Sequence, residues 1–243
     1  MCYSTALRKS KEEIERKLTA QFNATFDEPE KYSPYYHRNG FTYPSLYIIK
    51  MNDTENISAA SWGLVPDWAK EDPEGFRKKS NTLNARSETI FKKNSFKRSA
   101  IRKRCLILAD GFYEPHHENG VPIPYFCYQP SADEPNGSLF LFAGLYNDLG
   151  SEGFTTTILT TDANDFFADI HNKKKRMPLV LEADYYLDWL DDGLPEPSVN
   201  ELMASGFTNK KFEAHPVSRD LYKKGINTNK PYIIEKVEKG TLF

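Results

Sequence analysis

The run from Cys105 to Ala109 constrains the fold more than any other stretch, because all five of its residues are apolar. An uninterrupted apolar run of this length predicts a β-strand that is buried on both faces, whereas a strand with one solvent-facing side would alternate. Such a strand has to lie in the interior of a sheet. The sequence therefore predicts a sheet with residues 105–109 inside it.

Further strands are predicted along the chain as short runs rich in β-branched and aromatic residues, and an Asn-Asp turn joins the first two. They are Leu46–Met51, Ile57–Trp62, Tyr125–Tyr128, Leu139–Leu145, Phe154–Thr161, Met177–Leu181 and Phe212–Val217. The clearest helix signal is a capping box at Ser10 and Glu13, followed by an apolar face. A second capping box, at Ser198 and Glu201, predicts the start of a last helix.

These elements predict an α+β fold in one domain spanning residues 1–243. We expect mostly antiparallel strands curved into a sheet or open barrel, with flanking helices. The core is expected at about residues 2–217, and the tail from Lys223 is predicted to be an extended surface segment.

Composition narrows the class of protein. A net charge of −2 and a pI of about 6.2 exclude a general basic coat for nucleic acid, although not a local basic groove. Three widely spaced cysteines without a CxxC motif argue against a disulfide framework and a zinc site, so no metal or cofactor is predicted. No signal peptide or membrane-spanning run is found. We expect a monomer in the cytoplasm, in a bacterial-type cytosol or nucleoid.

The first two residues, Met1-Cys2, carry the most distinctive chemistry. Removal of Met1 would leave Cys2 with a free α-amine and a thiol on adjacent carbons. Such an aminothiol condenses with an aldehyde to an imine, and the thiol then closes a thiazolidine ring. Both groups have reference pKa values within about 1.5 of neutrality. The alternative, that cysteine is second in the chain by accident, is left open by these two residues alone.

Three other polar residues are candidates for catalysis. Asn84 lies two residues before Arg86 in an extended segment, so both side chains point the same way and suit a sugar or phosphate oxygen. Glu114 follows the buried strand among aromatic residues, where desolvation would raise its pKa and suit it to acid–base work. His171 closes a short helix before four cations. Each residue also has a structural alternative that remains open: a loop cap for Asn84, a surface carboxylate for Glu114 and a helix cap for His171.

Aromatic and basic residues indicate a nucleic-acid surface. Trp62 and Trp68 flank a Gly and a Pro, and they are either stacking platforms for bases or plugs at the edge of the core. The stretch from Lys92 to Arg104 holds seven cations, which favour phosphate binding but also fit a solvated helix face. Cys105 and Cys127 are predicted to be inert core thiols.

Taken together and in order, several motifs make the chain resemble the SRAP family, the SOS-response-associated peptidases that act on abasic sites. They are Met1-Cys2, Trp62-Gly63-Leu64-Val65-Pro66, Asn84-Ala85-Arg86-Ser87-Glu88-Thr89, Arg104-Cys105-Leu106 through Gly111-Phe112-Tyr113-Glu114, Phe142-Ala143-Gly144-Leu145, and Ile170-His171 with Arg176-Met177-Pro178. The resemblance implies a single-stranded DNA binder. It also implies a covalent thiazolidine bond between the N-terminal cysteine and the aldehyde of an abasic deoxyribose, and autoproteolysis of leading residues.

The resemblance also implies roles for particular residues. Cys2 would be the nucleophile and crosslinking residue, and Asn84 would hold its amine and the sugar. Glu114 would be the general acid–base, and His171 would assist sugar ring opening and reversal of the crosslink. The predicted DNA-binding residues are Trp62, Trp68, Arg86, Arg98, Arg102, Lys175 and Arg176.

The chain departs from the family pattern at three places. Tyr3-Ser4 stands where the family usually has Gly-Arg, Pro115 stands where a Trp is frequent, and Lys173–Lys175 separate His171 from the Arg-Met-Pro motif. Two other functions stay open: a cysteine peptidase or amidase that uses Cys2 with His171 and Glu114, and a non-covalent single-strand binder.

Overall fold

The computed structural model describes residues 2–238, and in that range it contains thirteen strands and six α-helices. The strands are β1 Ser4–Leu7, β2 Thr25–Phe26, β3 Tyr35–Asn39, β4 Ser45–Lys50, β5 Asp53–Trp62, β6 Asn84–Arg86, β7 Arg104–Ala109, β8 Gly111–Glu118, β9 Val121–Tyr128, β10 Phe140–Asp148, β11 Phe154–Asp162, β12 Arg176–Pro178 and β13 Glu213–Pro216. The helices are α1 Lys11–Leu18, α2 Pro73–Lys79, α3 Lys97–Arg102, α4 Asp165–Ile170, α5 Tyr186–Leu190 and α6 Glu196–Ser205. Met1, whose removal is predicted, and residues 239–243 lie outside the described residues.

The apolar run at residues 105–109 forms most of β7, which lies inside the larger sheet between β10 and β4. Every residue of β7 is buried, and Ile107 stands opposite Phe142 on one side and Ile48 on the other. The predicted buried strand is therefore confirmed. The predicted hairpin of β4 and β5 is also present, with antiparallel pairing.

The larger sheet curves until it closes on itself. Its strand order is β12-β11-β10-β7-β4-β5-β2, and β11 also pairs in parallel with β5, with Thr155 opposite Ser61. The strands β11, β10, β7, β4 and β5 thus form a ring, which is a partial barrel. The fold is α+β with a curved, mostly antiparallel sheet, as the sequence predicted.

A second sheet has the strand order β13-β9-β8-β1-β3, and it includes β1, the strand at the start of the chain. β1 pairs with β8 through Thr5 opposite Phe112 and Ala6 opposite Gly111. Cys2 therefore enters the molecule beside the strand that carries Glu114. β6 belongs to the larger sheet, where Asn84 stands opposite Ile158 of β11.

The first helix begins where the sequence predicted, whereas the last helix begins earlier than predicted. Ser10 and Glu13 form the predicted capping box of α1, with both hydrogen bonds present. α6 begins at Glu196, earlier than the Ser198 capping box predicted, and Pro195 is its N-cap residue. Pro197 in the first turn explains the difference, because proline is pre-organised for the start of a helix.

The segment from Lys223 is not the extended surface tail that the sequence predicted. A short 3-10 helix, Arg219–Tyr222, precedes it, and the segment itself contains another, Pro231–Ile234. Ile233 is fully buried, in a cluster that includes Tyr113 of β8. The chain thus continues to pack on the smaller sheet beyond the expected core.

Candidate active site around Cys2

Cys2 is fully buried just before β1, where Asn84 of β6 holds its backbone. The Asn84 side-chain nitrogen, Nδ2, donates a hydrogen bond of 2.8 Å to the Cys2 carbonyl oxygen. The amide oxygen of Asn84, Oδ1, is buried and accepts no hydrogen bond from the described residues. A buried acceptor without a donor is costly, so this oxygen marks a place where a donor would bind favourably.

The Cys2 thiol is held in its protonated form. Its sulfur lies 3.7 Å from the carbonyl oxygen of Ser4, to which the thiol donates a weak hydrogen bond. Burial, followed by the charge of the Glu114 carboxylate, raises the pKa of the thiol well above its ordinary value. Near neutral pH this sulfur therefore needs a base before it can attack an electrophile.

Glu114 supplies a group that can exchange a proton in this pH range. It lies in the middle of β8 rather than directly after a strand, and it is fully buried opposite Tyr125 of β9. Burial raises the pKa of the carboxyl group to about 7, as its position among aromatic residues predicted. Both its acid and its base forms are thus populated near neutrality.

His171 follows α4 as its C-cap residue and is buried against Glu114. Its Nδ1 lies 2.9 Å from the Arg176 carbonyl oxygen and 3.3 Å from Oε2 of Glu114. Because a carbonyl oxygen only accepts, Nδ1 carries the hydrogen. Burial lowers the pKa of the imidazole to about 4, so the ring is neutral and its Nε2 is an acceptor.

These four residues come from distant parts of the chain and meet at one place. Asn84 contacts Cys2, His171 contacts Glu114, and the Glu114 charge acts on the Cys2 thiol. Both sheets and α4 are needed to assemble them.

The two tryptophans differ completely in exposure. Trp62 is fully buried, and its indole nitrogen donates to the Leu83 carbonyl oxygen at 2.8 Å. The prediction that Trp62 stacks on a base is therefore wrong, and the alternative, an indole that fills the core, describes it. Trp68 is 65% exposed and packs edge-on against Phe76, so its ring remains available for stacking.

The basic residues that were predicted to contact DNA also differ in exposure. Arg86, Arg102 and Lys175 are exposed, and Arg98 is exposed while paired with Asp67 at 2.9 Å. Arg176 is buried instead. Its guanidinium contacts Glu88 at 2.5 Å, Asp162 at 2.7 Å and the Thr160 carbonyl oxygen at 2.7 Å. Three acceptors hold this side chain, so Arg176 is not exposed as the other predicted DNA contacts are, and it anchors β12.

A cavity of about 710 Å³ beside the site was not predicted. Tyr3 and Ser4 line it together with residues from 37–44 and 221–229. In the sequence, only the adjacent lysines Lys223 and Lys224 indicate that this part of the last segment lines a site. A lysine pair is equally typical of a surface tail.

Two other kinds of site are absent from the part of the chain that the structure describes. Residues 2–238 contain no group of three or more His, Cys, Asp or Glu side chains placed to hold a metal ion. Nor does this range include a helix long and apolar enough to cross a membrane.

Comparison with known proteins decides the family. The profile described as "SOS response associated peptidase (SRAP)" matches residues 1–224. The chain belongs to this family. The resemblance to the SRAP family is thereby confirmed, and Cys2, Asn84, Glu114 and His171 lie within the matched range.

SRAP proteins of known name are similar over most of the chain. "Abasic site processing protein YoqW" of Bacillus subtilis is 34% identical over 227 residues, which cover 90% of this chain and 93% of that protein. "Abasic site processing protein HMCES" of Gallus gallus is 33% identical over 199 residues, covering 74% of this chain but 57% of the relative. A crystal structure of a Bacteroides thetaiotaomicron protein superposes with a TM-score of 0.80 and 32% identity, over 98% of this chain and 100% of that one.

Proposed function

We propose that this protein processes abasic sites in single-stranded DNA, and that Cys2 forms a covalent thiazolidine crosslink with the abasic sugar once Met1 has been removed. The names of the relatives support abasic-site processing in general. The burial of Cys2 and Glu114 at one place, with a neutral thiol beside a carboxyl group whose pKa is about 7, carries the finer proposal.

The chemistry begins at nitrogen. The Cys2 amine adds to the aldehyde carbon of the ring-opened deoxyribose, and loss of water gives an imine. This imine is left protonated on nitrogen. The sulfur bonds to its carbon as the thiol proton passes to the Glu114 carboxylate, and the five-membered ring closes with a neutral nitrogen. Water is the only other product, and no oxidant or metal is consumed.

Each side chain has a task that its surroundings support. The buried Oδ1 of Asn84, which accepts no hydrogen bond from the described residues, accepts one from the Cys2 amine. Protonated Glu114 donates to the departing hydroxyl group, and its carboxylate then takes the thiol proton. Neutral His171 presents Nε2 as an acceptor for the sugar hydroxyl proton during ring opening. Of the residues predicted to bind DNA, five are exposed and can contact the strand: Trp68, Arg86, Arg98, Arg102 and Lys175.

A cysteine peptidase is less well supported. Such an enzyme needs a thiolate, made by a neighbouring histidine. Here burial raises the pKa of the thiol well above its ordinary value, and the hydrogen bond of the thiol goes to the Ser4 carbonyl oxygen. Burial also lowers the pKa of the His171 imidazole to about 4, which makes it a weak base. A non-covalent binder gives no reason to bury Cys2 with Glu114.

A denaturing gel tests the proposal. The protein is incubated with a single strand that carries one abasic site, or with the intact strand. We expect a shifted covalent band with the abasic strand alone, and the same band from Cys105→Ala, because Cys105 is buried elsewhere in the barrel. Cys2→Ala should give a band only after borohydride trapping. No band from the unaltered protein, or an equal band without borohydride from Cys2→Ala, would refute the proposal.

A further inference from the structure

The 710 Å³ cavity is continuous with the reactive end of the chain. Its lining includes Tyr3 and Ser4, the two residues that follow Cys2. Tyr113 and Pro115, which flank Glu114 in β8, line the cavity as well. Whatever occupies the cavity therefore lies next to the group that reacts at Cys2.

The segment that forms the far side of the cavity is held at both ends. Leu221 packs in the buried cluster that includes Ala6 and Tyr113. Thr228 Oγ1 hydrogen-bonds with Nδ1 of buried His37 at 2.6 Å, and Asn229 accepts a hydrogen bond from the Tyr36 backbone nitrogen at 2.8 Å. The exposed residues 222–227 between these anchors are therefore set at a fixed place along the cavity.

Two cations line the cavity from this segment, Lys223 and Lys224, and both are exposed. Lys223 contacts Asp220 at 2.8 Å, but an ion pair exposed to water contributes little stability. Its ammonium group can thus exchange that partner for a phosphate, with which a cation forms a stronger hydrogen bond.

An aromatic surface lines the same cavity. Phe41 is 58% exposed, and its ring packs on Tyr3 with 4.8 Å between the ring centroids. A nucleotide needs both features, because its phosphate is attracted to cations while its base stacks on an aromatic face.

We propose that this cavity binds the nucleotide next to the abasic one, with its phosphate on Lys223 and Lys224 and its base on the Tyr3–Phe41 pair. The proposal rests on the proposed function for the position of the abasic sugar at Cys2. It adds a subsite for an intact neighbouring nucleotide, and stacking makes that subsite tolerant of base identity.

Non-covalent binding to an intact single strand, measured by fluorescence anisotropy over a series of salt concentrations, tests the phosphate contacts. Replacing Lys223 and Lys224 by Ala should weaken binding roughly tenfold at low salt and reduce the salt slope by about 0.7 for each phosphate that is no longer neutralised. The control is the double change of Lys210 and Lys211 to Ala, an adjacent exposed pair before β13 at the opposite edge of the smaller sheet. Adding Ser4→Arg to the first variant should restore the slope, because Ser4 lines the same cavity.

The base contact is tested with Phe41→Ala and the conservative Phe41→Tyr. The strands carry tetrahydrofuran analogues at their abasic positions, which have no aldehyde and cannot crosslink. Phe41→Ala should weaken binding roughly tenfold when the nucleotide adjacent to the abasic position carries a base, and should have no effect when that nucleotide is abasic as well. Phe41→Tyr should bind like the unaltered protein.

Equal binding and salt slope for the 223/224 and 210/211 variants would overturn the proposal, as would the same Phe41→Ala effect on both strands. Because these readings need no crosslink, they remain valid if the denaturing gel shows no covalent product. In that case the proposed function fails while the subsite stands.

Discussion

Replacing Glu114 by Gln removes proton transfer by this side chain but keeps its shape, since glutamine has nearly the same volume and does not titrate. Glu114 is fully buried, and burial raises the pKa of its carboxyl group to about 7. The carboxyl group can therefore both donate and accept a proton near neutral pH. Loss of a general acid–base should slow crosslinking by roughly 10²-fold, while affinity for DNA is nearly kept.

The same raised pKa makes a prediction about stability. The carboxyl group has an ordinary pKa of 4.5 and a folded-state pKa of about 7. Between these values the folded state binds more protons than the unfolded state, so the free energy of unfolding falls as the pH rises. A pKa difference of about 2.5, at about 1.4 kcal/mol for each unit, amounts to a cost of about 3 to 4 kcal/mol, fully expressed above pH 7.

The Glu114→Gln variant does not lose this free energy of unfolding at high pH, because the amide stays neutral. Relative to the unaltered protein, its free energy of unfolding should rise by up to about 3 kcal/mol between pH 5 and pH 8. Denaturant unfolding at several pH values measures this difference. Glu55→Gln, a change at an exposed glutamate of β5, should leave both stability and crosslinking rate unchanged. A stability difference that does not vary with pH, or an unaltered crosslinking rate, would refute the acid–base role.

Three further outcomes are expected. Changing Arg98 and Arg102 to Ala should weaken binding to all single strands about equally and flatten the salt dependence, and an unchanged salt slope in a titration would refute their role. His171→Ala should keep some crosslinking but release DNA more slowly, and equal release rates in a chase with fresh abasic DNA would contradict this. Arg104→Met should destabilise the fold by about 3 kcal/mol in denaturant unfolding, because the buried guanidinium donates to the Trp189 and Ala100 carbonyl oxygens, which would lose their donor.

Features set by neighbouring residues could be predicted from the sequence. Strand β7 follows from five successive apolar residues, and the start of α1 follows from the Ser10 and Glu13 capping box. The chemical candidates Asn84, Glu114 and His171 could be named because residue type and family resemblance pointed to them. Their meeting could not be derived locally, since it depends on β1 pairing with β8 and β6 pairing with β11.

Side-chain exposure could be predicted least well, because it depends on packing between distant segments. Trp62 and Trp68 have similar local surroundings, yet the first meets Leu83 in the core and the second remains exposed. Arg176 ends a run of four cations, and it alone of those four turns inward, because acceptors from Glu88 and Asp162 lie where β12 begins.

The prediction for the tail was wrong for the same reason. Its polar, lysine-rich sequence resembles a surface segment, and a single Ile233 gives little local signal. In the structure Ile233 is buried and Thr228 is hydrogen-bonded to His37. These contacts place Lys223 and Lys224 beside the reactive end of the chain rather than away from it.

The most direct test of the central claim compares a protein whose mature N-terminus is Cys2 with one that carries an uncleaved extension before it, each verified by mass spectrometry. The extension turns the amine into an amide, which is not nucleophilic, while the thiol and the fold remain. We predict a stable crosslink to single-stranded abasic DNA from the free Cys2 protein and none from the extended protein. Full, stable crosslinking by the protein with the intact extension would contradict the aminothiol mechanism.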